Sequence, residues 1–179
     1  MTDSIPALTT LNFLPYIDES GFIPTEVQGK VGIYAIFDAD HVLQFIGYSR
    51  DVYLSLQQHL VRCPIDCYWF KVQTIDRPNR TILEATRDAW IAENGLLPPG
   101  NGPAQAQWTQ PIDVRSTMRD EEQIRFAALD EFAQGKLLKQ VARRVEEQIL
   151  ATLQARGVKM PLRFNPKLKE SGLLDLNPS

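Results

Sequence analysis

Cysteine and histidine are scarce, at two residues each in a chain of 179. Two thiols do not make a disulfide framework, and they fit a reducing, cytoplasmic compartment. No apolar run approaches the ~20 residues that a membrane span needs. The opening Met1-Thr2-Asp3-Ser4-Ile5-Pro6 lacks a basic and apolar leader, so no secretory signal is expected. It is also unlike the arginine-rich start of a transit peptide. A basic excess is missing too. The net charge is −3, spread as −4 over residues 1–28, −1 over 29–100 and +2 over 101–179. Proteins that grip a phosphate backbone usually carry a basic face, because counterion release supplies most of their non-specific affinity. The charge therefore does not support nucleic acid as partner, and a protein partner is expected.

What is present is a run of short, well-punctuated elements. Residues 1–30, with Pro6, Pro15, Pro24 and Gly21, read as an irregular arm that packs Leu11, Phe13, Leu14, Tyr16 and Ile17 on a domain. Two β-prone runs, about 31–38 and 41–47, bracket Asp38-Ala39-Asp40 and predict a hairpin. A helix follows over about 51–61, with Val52, Leu56 and Leu60 on one stripe and Ser49 as N-cap. A third strand is expected over about 67–75. Asn79 then caps a helix over about 80–94 that Gly95 closes. The proline-rich segment ending at residue 102 closes this module.

Residues 103–117 read as a linker and 118–156 as a helical region, broken by Gly135. Leu138, Val141, Val145, Ile149 and Leu153 form its apolar stripe, which either completes the module's core or meets a partner. Residues 157–179, with Pro161, Pro166 and Pro178, read as an extended tail. The expected fold is α+β: a small three-stranded antiparallel sheet flanked by helices, with a helical C-terminal extension.

Two strings carry the candidate chemistry. Gly32-Ile33-Tyr34 lies in the first run and Phe45-Ile46-Gly47 in the second, their aromatic residues eleven positions apart. With the hairpin, the capped helix, His59, a third strand and a second helix, the order over residues 31–102 resembles the GIY-YIG nuclease superfamily. It is similar to divergent members from cyanobacteria and plastids. The resemblance implies a site that cuts a phosphodiester with water and one divalent metal. In it two tyrosines orient the water, a helix arginine and a histidine serve the phosphate, and a glutamate holds the metal.

Carried onto this chain, the resemblance makes Tyr34 and His59 vestigial or weak catalytic residues. Phe45 replaces the second tyrosine and loses its hydroxyl, and Gly47 matches the glycine of that string. Ser55 stands where the arginine belongs, and Arg87 where the glutamate belongs. Arg50 is a candidate substitute for the lost arginine, Asn101 matches an asparagine after the second helix, and Glu84 is the one candidate for Mg or Mn. No cofactor is expected unless hydrolysis survives. One lost electrostatic stabiliser costs ~10²–10³ in rate, and one lost acid–base group ~10²–10⁴.

The resemblance thus implies a catalytically degenerate domain serving as a binding or assembly module. Tyr34, Phe45, Ser55, His59 and Arg87 are expected around one shallow cleft without a metal. Two alternatives stay open, a metal-dependent endonuclease acting on DNA and a non-cutting nucleic-acid binder. Blander readings stand beside each residue. Tyr34 also reads as an ordinary strand tyrosine, His59 as a packing histidine, and Glu84 as a solvated helix residue. His59, Cys63 and Cys67 lack the spacing of a zinc knuckle. Trp69, Trp90 and Trp108 read as core or seam residues rather than as a platform for bases.

Overall fold

A computed structural model describes residues 5–177. Residues 1–4, on which the expectation about a leader rests, and Pro178 lie outside the described residues. The chain divides into two compact units, Met1–Thr109 with Val158–Met160, and Gln110–Gly157 with Pro161–Ser179.

The first unit is α+β. Along it run β1 (Leu14–Pro15), β2 (Val31–Phe37), β3 (Leu43–Ser49), α1 (Val52–Arg62), β4 (Trp69–Ile75), α2 (Arg80–Asn94) and α3 (Gln105–Thr109). One antiparallel sheet has the order β1-β4-β2-β3. It holds four strands instead of the expected three, because Leu14 and Pro15 of the arm pair with Phe70 and Trp69. Pro15 has no N–H to give, and the sheet edge is where a strand tolerates that.

The register places Tyr34 opposite Gly47 and Ile36 opposite Phe45, so these side chains share one face. α1 lies on that face, with Val52, Leu56, His59 and Leu60 buried. On the other face Ile33, Ala35 and Ile46 pack with Leu83 and Trp90 of α2 and with Leu8 of the arm. A strand covered on both faces needs no polar side, which explains the unbroken apolar run Ile33–Phe37.

Local chemistry sets the ends of these elements. Asn79 caps α2 by accepting from Ile82 N–H, and Gly95 closes it at a φ of 80°. α1 is capped by Asp51 and not by Ser49. The Asp51 carboxylate accepts from Leu54 N–H, while the Ser49 hydroxyl donates to the Asp51 carbonyl at 2.9 Å. The arm is fastened by its main chain. Leu8 N–H donates to Glu93 Oε2 at 2.6 Å, Lys71 Nζ donates to the Leu8 carbonyl at 3.1 Å, and Trp90 Nε1 donates to the Pro6 carbonyl at 2.9 Å.

β3 is an outer strand, and Asn101 meets its free edge. Asn101 Oδ1 accepts from Ile46 N–H at 2.8 Å, and its Nδ2 donates to the Ile46 carbonyl at 2.8 Å. One amide therefore does for Ile46 what a neighbouring strand would do.

The second unit contains β5 (Ile112–Asp113), α4 (Asp120–Ala128), α5 (Glu131–Ala155), α6 (Pro166–Lys169) and β6 (Leu173–Leu174). Segment 103–117 is therefore more than a linker, since it carries α3 and β5. Segment 157–179 is more than an extended tail, because β6 pairs with β5. The break in the helical region falls at Leu129-Asp130, where Asp130 accepts from Ala133 N–H and starts a new helix. Gly135 stays inside α5; its cost of about 1 kcal/mol is small beside the burial of so long a helix. The α5 stripe is buried, and it lies against the 3-10 turn at Val114–Thr117, α6 and β6. Among the described residues no helix is long and apolar enough to cross a membrane.

Candidate functional site

Where α1 crosses the Tyr34 face beside the outer strand, a cleft of about 310 Å³ opens. Its inner wall is aromatic. The Phe45 ring stacks on Trp108 at 5.4 Å between centroids, and the His59 ring lies 4.7 Å from Phe45. Gly47 makes this packing possible. A Cβ there would stand 2.6 Å from a Phe45 ring carbon and 2.9 Å from the Tyr34 hydroxyl.

Tyr34 Oη meets His59 Nε2 at 2.8 Å, and both residues are buried. Burial, helped by the Arg62 guanidinium, pushes His59 down to about 3, so its ring is neutral at physiological pH. Burial also pushes Tyr34 well above the usual phenol range. The pair is a polar, uncharged wall.

Positive charge comes from two other residues. Arg62 donates through Nη1 to the Trp108 carbonyl at 3.1 Å. Arg87 pairs through Nε with Asp88 at 3.1 Å, and its guanidinium carbon stands 5.5 Å from the Tyr48 ring centre. Both line the cleft, and among the described residues no carboxylate does.

The structure brings Tyr34, Phe45, Gly47, Ser55, His59, Arg87 and Asn101 around this one cleft. Arg50 is exposed and does not reach it. Glu84 stays outside, with Oε1 taken by Arg80 at 2.7 Å and by the Tyr48 hydroxyl at 3.1 Å. Those bonds, Arg80 first, hold its carboxyl below the usual range. The residues do not fit a divalent metal. Glu84 faces Arg80, and no three His, Cys, Asp or Glu side chains gather among the described residues where they could hold a metal ion.

Sequence reasoning missed Arg62 and Trp108. Arg62 stands three residues after His59, which puts both on one helix face and was a usable signal. Trp108 was read as a core or seam residue, which its burial bears out, but nothing in the supposed linker tied it to the cleft. Trp90 and Trp108 are buried and offer no stacking surface. Cys63 and Cys67 are buried thiols outside any disulfide, and burial with the nearby Asp66 carboxylate pushes the Cys63 thiol up to about 12.

The first unit is thus an α+β domain with a cationic cleft walled by aromatic rings. No family model matches the chain. It is similar to a bifunctional monothiol glutaredoxin of Arabidopsis thaliana, a chloroplastic protein. The two are 33% identical over an alignment of 105 residues that covers 56% of this chain and 34% of that protein. The chain spans about a third of the length of the curated relative it matches.

This finding corrects the motif-based reading. The relative bears the name of a glutaredoxin and not of a nuclease, and the resemblance to the GIY-YIG superfamily is not upheld. Three functional readings fall with it: the degenerate binding or assembly module, the endonuclease acting on DNA, and the non-cutting nucleic-acid binder. Gly-Ile-Tyr and Phe-Ile-Gly are short apolar strings of a kind that a hairpin covered on both faces favours. Their spacing describes a register, and a register alone does not define a family. The function has to be argued from the cleft itself.

Proposed function

We propose that the first unit binds a small anionic molecule in the cleft beside α1 and β3. The observation that carries this reading is local charge: Arg62 and Arg87 line the cleft without a carboxylate, in a chain whose net charge is −3. Guanidinium groups in a partly enclosed site attract anions more strongly than in open water, and their hydrogen bonds to oxyanions are charge-assisted. A neutral His59 and a protonated Tyr34 add no negative charge, so Asp88, paired with Arg87 at 3.1 Å, is the carboxylate an anion has to share that guanidinium with. The volume lies at the small end of the range for metabolite sites.

Redox cysteines are accessible and have lowered pKa values. The burial of both thiols here, with Cys63 raised to about 12, supports placing any thiol step outside this chain. The relative is bifunctional, and this chain spans about a third of it. A monothiol glutaredoxin domain, on this polypeptide or on another, is accordingly the protein partner we assign, in a reducing compartment that suits two thiols outside any disulfide.

Calorimetric titration at low salt with small phosphate, sulfate and carboxylate compounds tests the first reading. Arg87→Gln removes one charge-assisted contact and should weaken binding about tenfold, a loss of ~1.5 kcal/mol. No binding by any of these anions, or an affinity unchanged by Arg87→Gln, refutes it. Titration of a recombinant monothiol glutaredoxin into the full chain tests the partner, and absence of a complex at micromolar concentration removes it.

A further inference from the structure

β1 covers only the first two residues of β4, since Leu14 and Pro15 pair with Phe70 and Trp69 and the chain before them leaves the sheet for a 3-10 turn at Leu8–Thr10. Alternation across the sheet shows which groups this leaves bare. Asn101 takes both main-chain groups of Ile46 at the β3 edge, so those of Phe45 face β2 and those of its partner Ile36 face β3. Ile33 and Ala35 then face β4, where Gln73 and Lys71 answer them, and the N–H and C=O of Val72 and Thr74 point out of the sheet. Among the described residues no strand lies beside these two positions. The Thr74 carbonyl takes Gln73 Nε2 of its own strand at 3.2 Å, an exposed contact that a neighbouring strand would displace.

Val72 and Thr74 also border a groove of about 380 Å³. Leu14, opposite Phe70 and so on the side of the sheet to which Val72 points, lines one end. The 3-10 turn Thr25–Val27, which leads into Val31 and its partner Ile75, brings Val27 and Glu26 to the Thr74 end. Glu26 is the one charged side chain lining the groove among the described residues, and residues 1–28 around it carry no base. We infer that this edge receives an extended peptide segment as a further strand, with an apolar side chain opposite Val72 and a basic one opposite Thr74. Running antiparallel to β4, as β1 does, the segment reads Lys-x-Val from its N-terminus. Main-chain bonds to Val72 and Thr74 supply the affinity, Leu14, Val27 and Val72 hold the valine, and Glu26 selects the lysine. A second copy of the chain does not suit the groove. Its β4, held in its own sheet, would run into β1 within a few residues, and it would bring another Glu26 where a cation is wanted. A free segment turns away where β1 begins. The inference is independent of the anion reading, because the groove and the cleft share no lining residue.

NMR titration of the isotope-labelled full chain with the peptide acetyl-Thr-Lys-Thr-Val-Thr-amide tests the proposal. Binding is expected to shift the amide signals of Val72 and Thr74 and, at saturation, to slow their hydrogen exchange about tenfold or more. N-methylation of the peptide's lysine and valine, whose amides face β4, is expected to weaken binding about tenfold or more. N-methylation of its second and third threonines, whose amides face away, should leave the affinity within about threefold. A peptide with glutamate in place of lysine should bind about fivefold more weakly, the upper scale of an exposed ion pair, and Glu26→Gln should bring the two peptides within about twofold. Unchanged Val72 and Thr74 signals with the lysine peptide at about 1 mM, where even weak association registers, overturn the proposal. Equal losses from the two N-methylations overturn the added strand, and equal affinities of the lysine and glutamate peptides overturn the basic segment. Protection of these amides that rises with protein concentration in the absence of peptide assigns the edge to a second copy and overturns the peptide.

Discussion

Asn101→Ala should destabilise the first unit far beyond what a half-buried loop residue suggests. The side chain makes two hydrogen bonds of 2.8 Å, one to each backbone group of Ile46. Ile46 is 1% exposed, so removing the amide strands an N–H and a carbonyl that water reaches poorly. Each net hydrogen bond contributes about 1 kcal/mol, and a stranded buried group costs about 1–3 kcal/mol. The expected loss is therefore about 3 kcal/mol. With a urea m-value of ~1.5 kcal/mol/M, the midpoint falls by about 2 M.

Tryptophan emission is the right assay, because Trp69, Trp90 and Trp108 all belong to the first unit. Asn101→Asp sharpens the test. It keeps an acceptor for Ile46 N–H but sets a carboxylate oxygen against the Ile46 carbonyl, so it should destabilise nearly as much as alanine. A loss below about 0.5 kcal/mol for either variant would mean that water replaces the amide at no cost, and the account of the β3 edge would fail.

Gly47→Ala forces a methyl group against Phe45 and Tyr34 and should cost about 1–3 kcal/mol, read from the same urea transitions. Stability should fall as pH drops from about 6.5 towards 3. The unfolded chain takes up a proton at His59 that the folded chain, with this ring held near 3, refuses. His59→Gln should flatten that limb, and equal slopes for the two proteins would remove His59 from the account. Cys63 and Cys67 should resist iodoacetamide in the native protein at neutral pH and react on unfolding, as mass spectrometry can follow. Rapid native labelling of either would contradict their burial.

The hairpin was legible because Asp38 closes a turn between two apolar runs, and its side chain does accept from Asp40 and Val42 N–H. The ends of α2 were legible for the same reason, since Asn79 and Gly95 act within a few residues of themselves. The gathering of Tyr34, Phe45 and His59 was expected only from the family resemblance, and what brings them together is strand register and the placing of α1 on the Tyr34 face. Other features depend on distant partners that no local pattern announces. β1 is two residues long and includes a proline, so it has no periodicity to detect. Asn101 finds its use 55 positions away at Ile46. Arg62 and Trp108 meet only once α3 packs beside α1. Asp130 and not Gly135 divides the C-terminal helices, because a side chain that caps a new helix acts more decisively than a glycine inside a long one. Function was the least legible of all, since the two short strings that suggested a family were equally at home in any doubly covered hairpin.

The fastening of the N-terminal arm bears on how this protein can vary. Glu93, Lys71 and Trp90 grip the N–H of Leu8, the carbonyl of Leu8 and the carbonyl of Pro6, atoms that nearly every amino acid supplies. Ala7 and Thr10 can therefore drift through many identities without loosening the attachment, while Leu8 is confined by its place in the core. The substitution that the clasp forbids outright is proline at position 8, which deletes the one hydrogen Glu93 holds at 2.6 Å. Related chains that share little sequence before β2 can thus keep the same arm, anchored by three side chains that lie well beyond it.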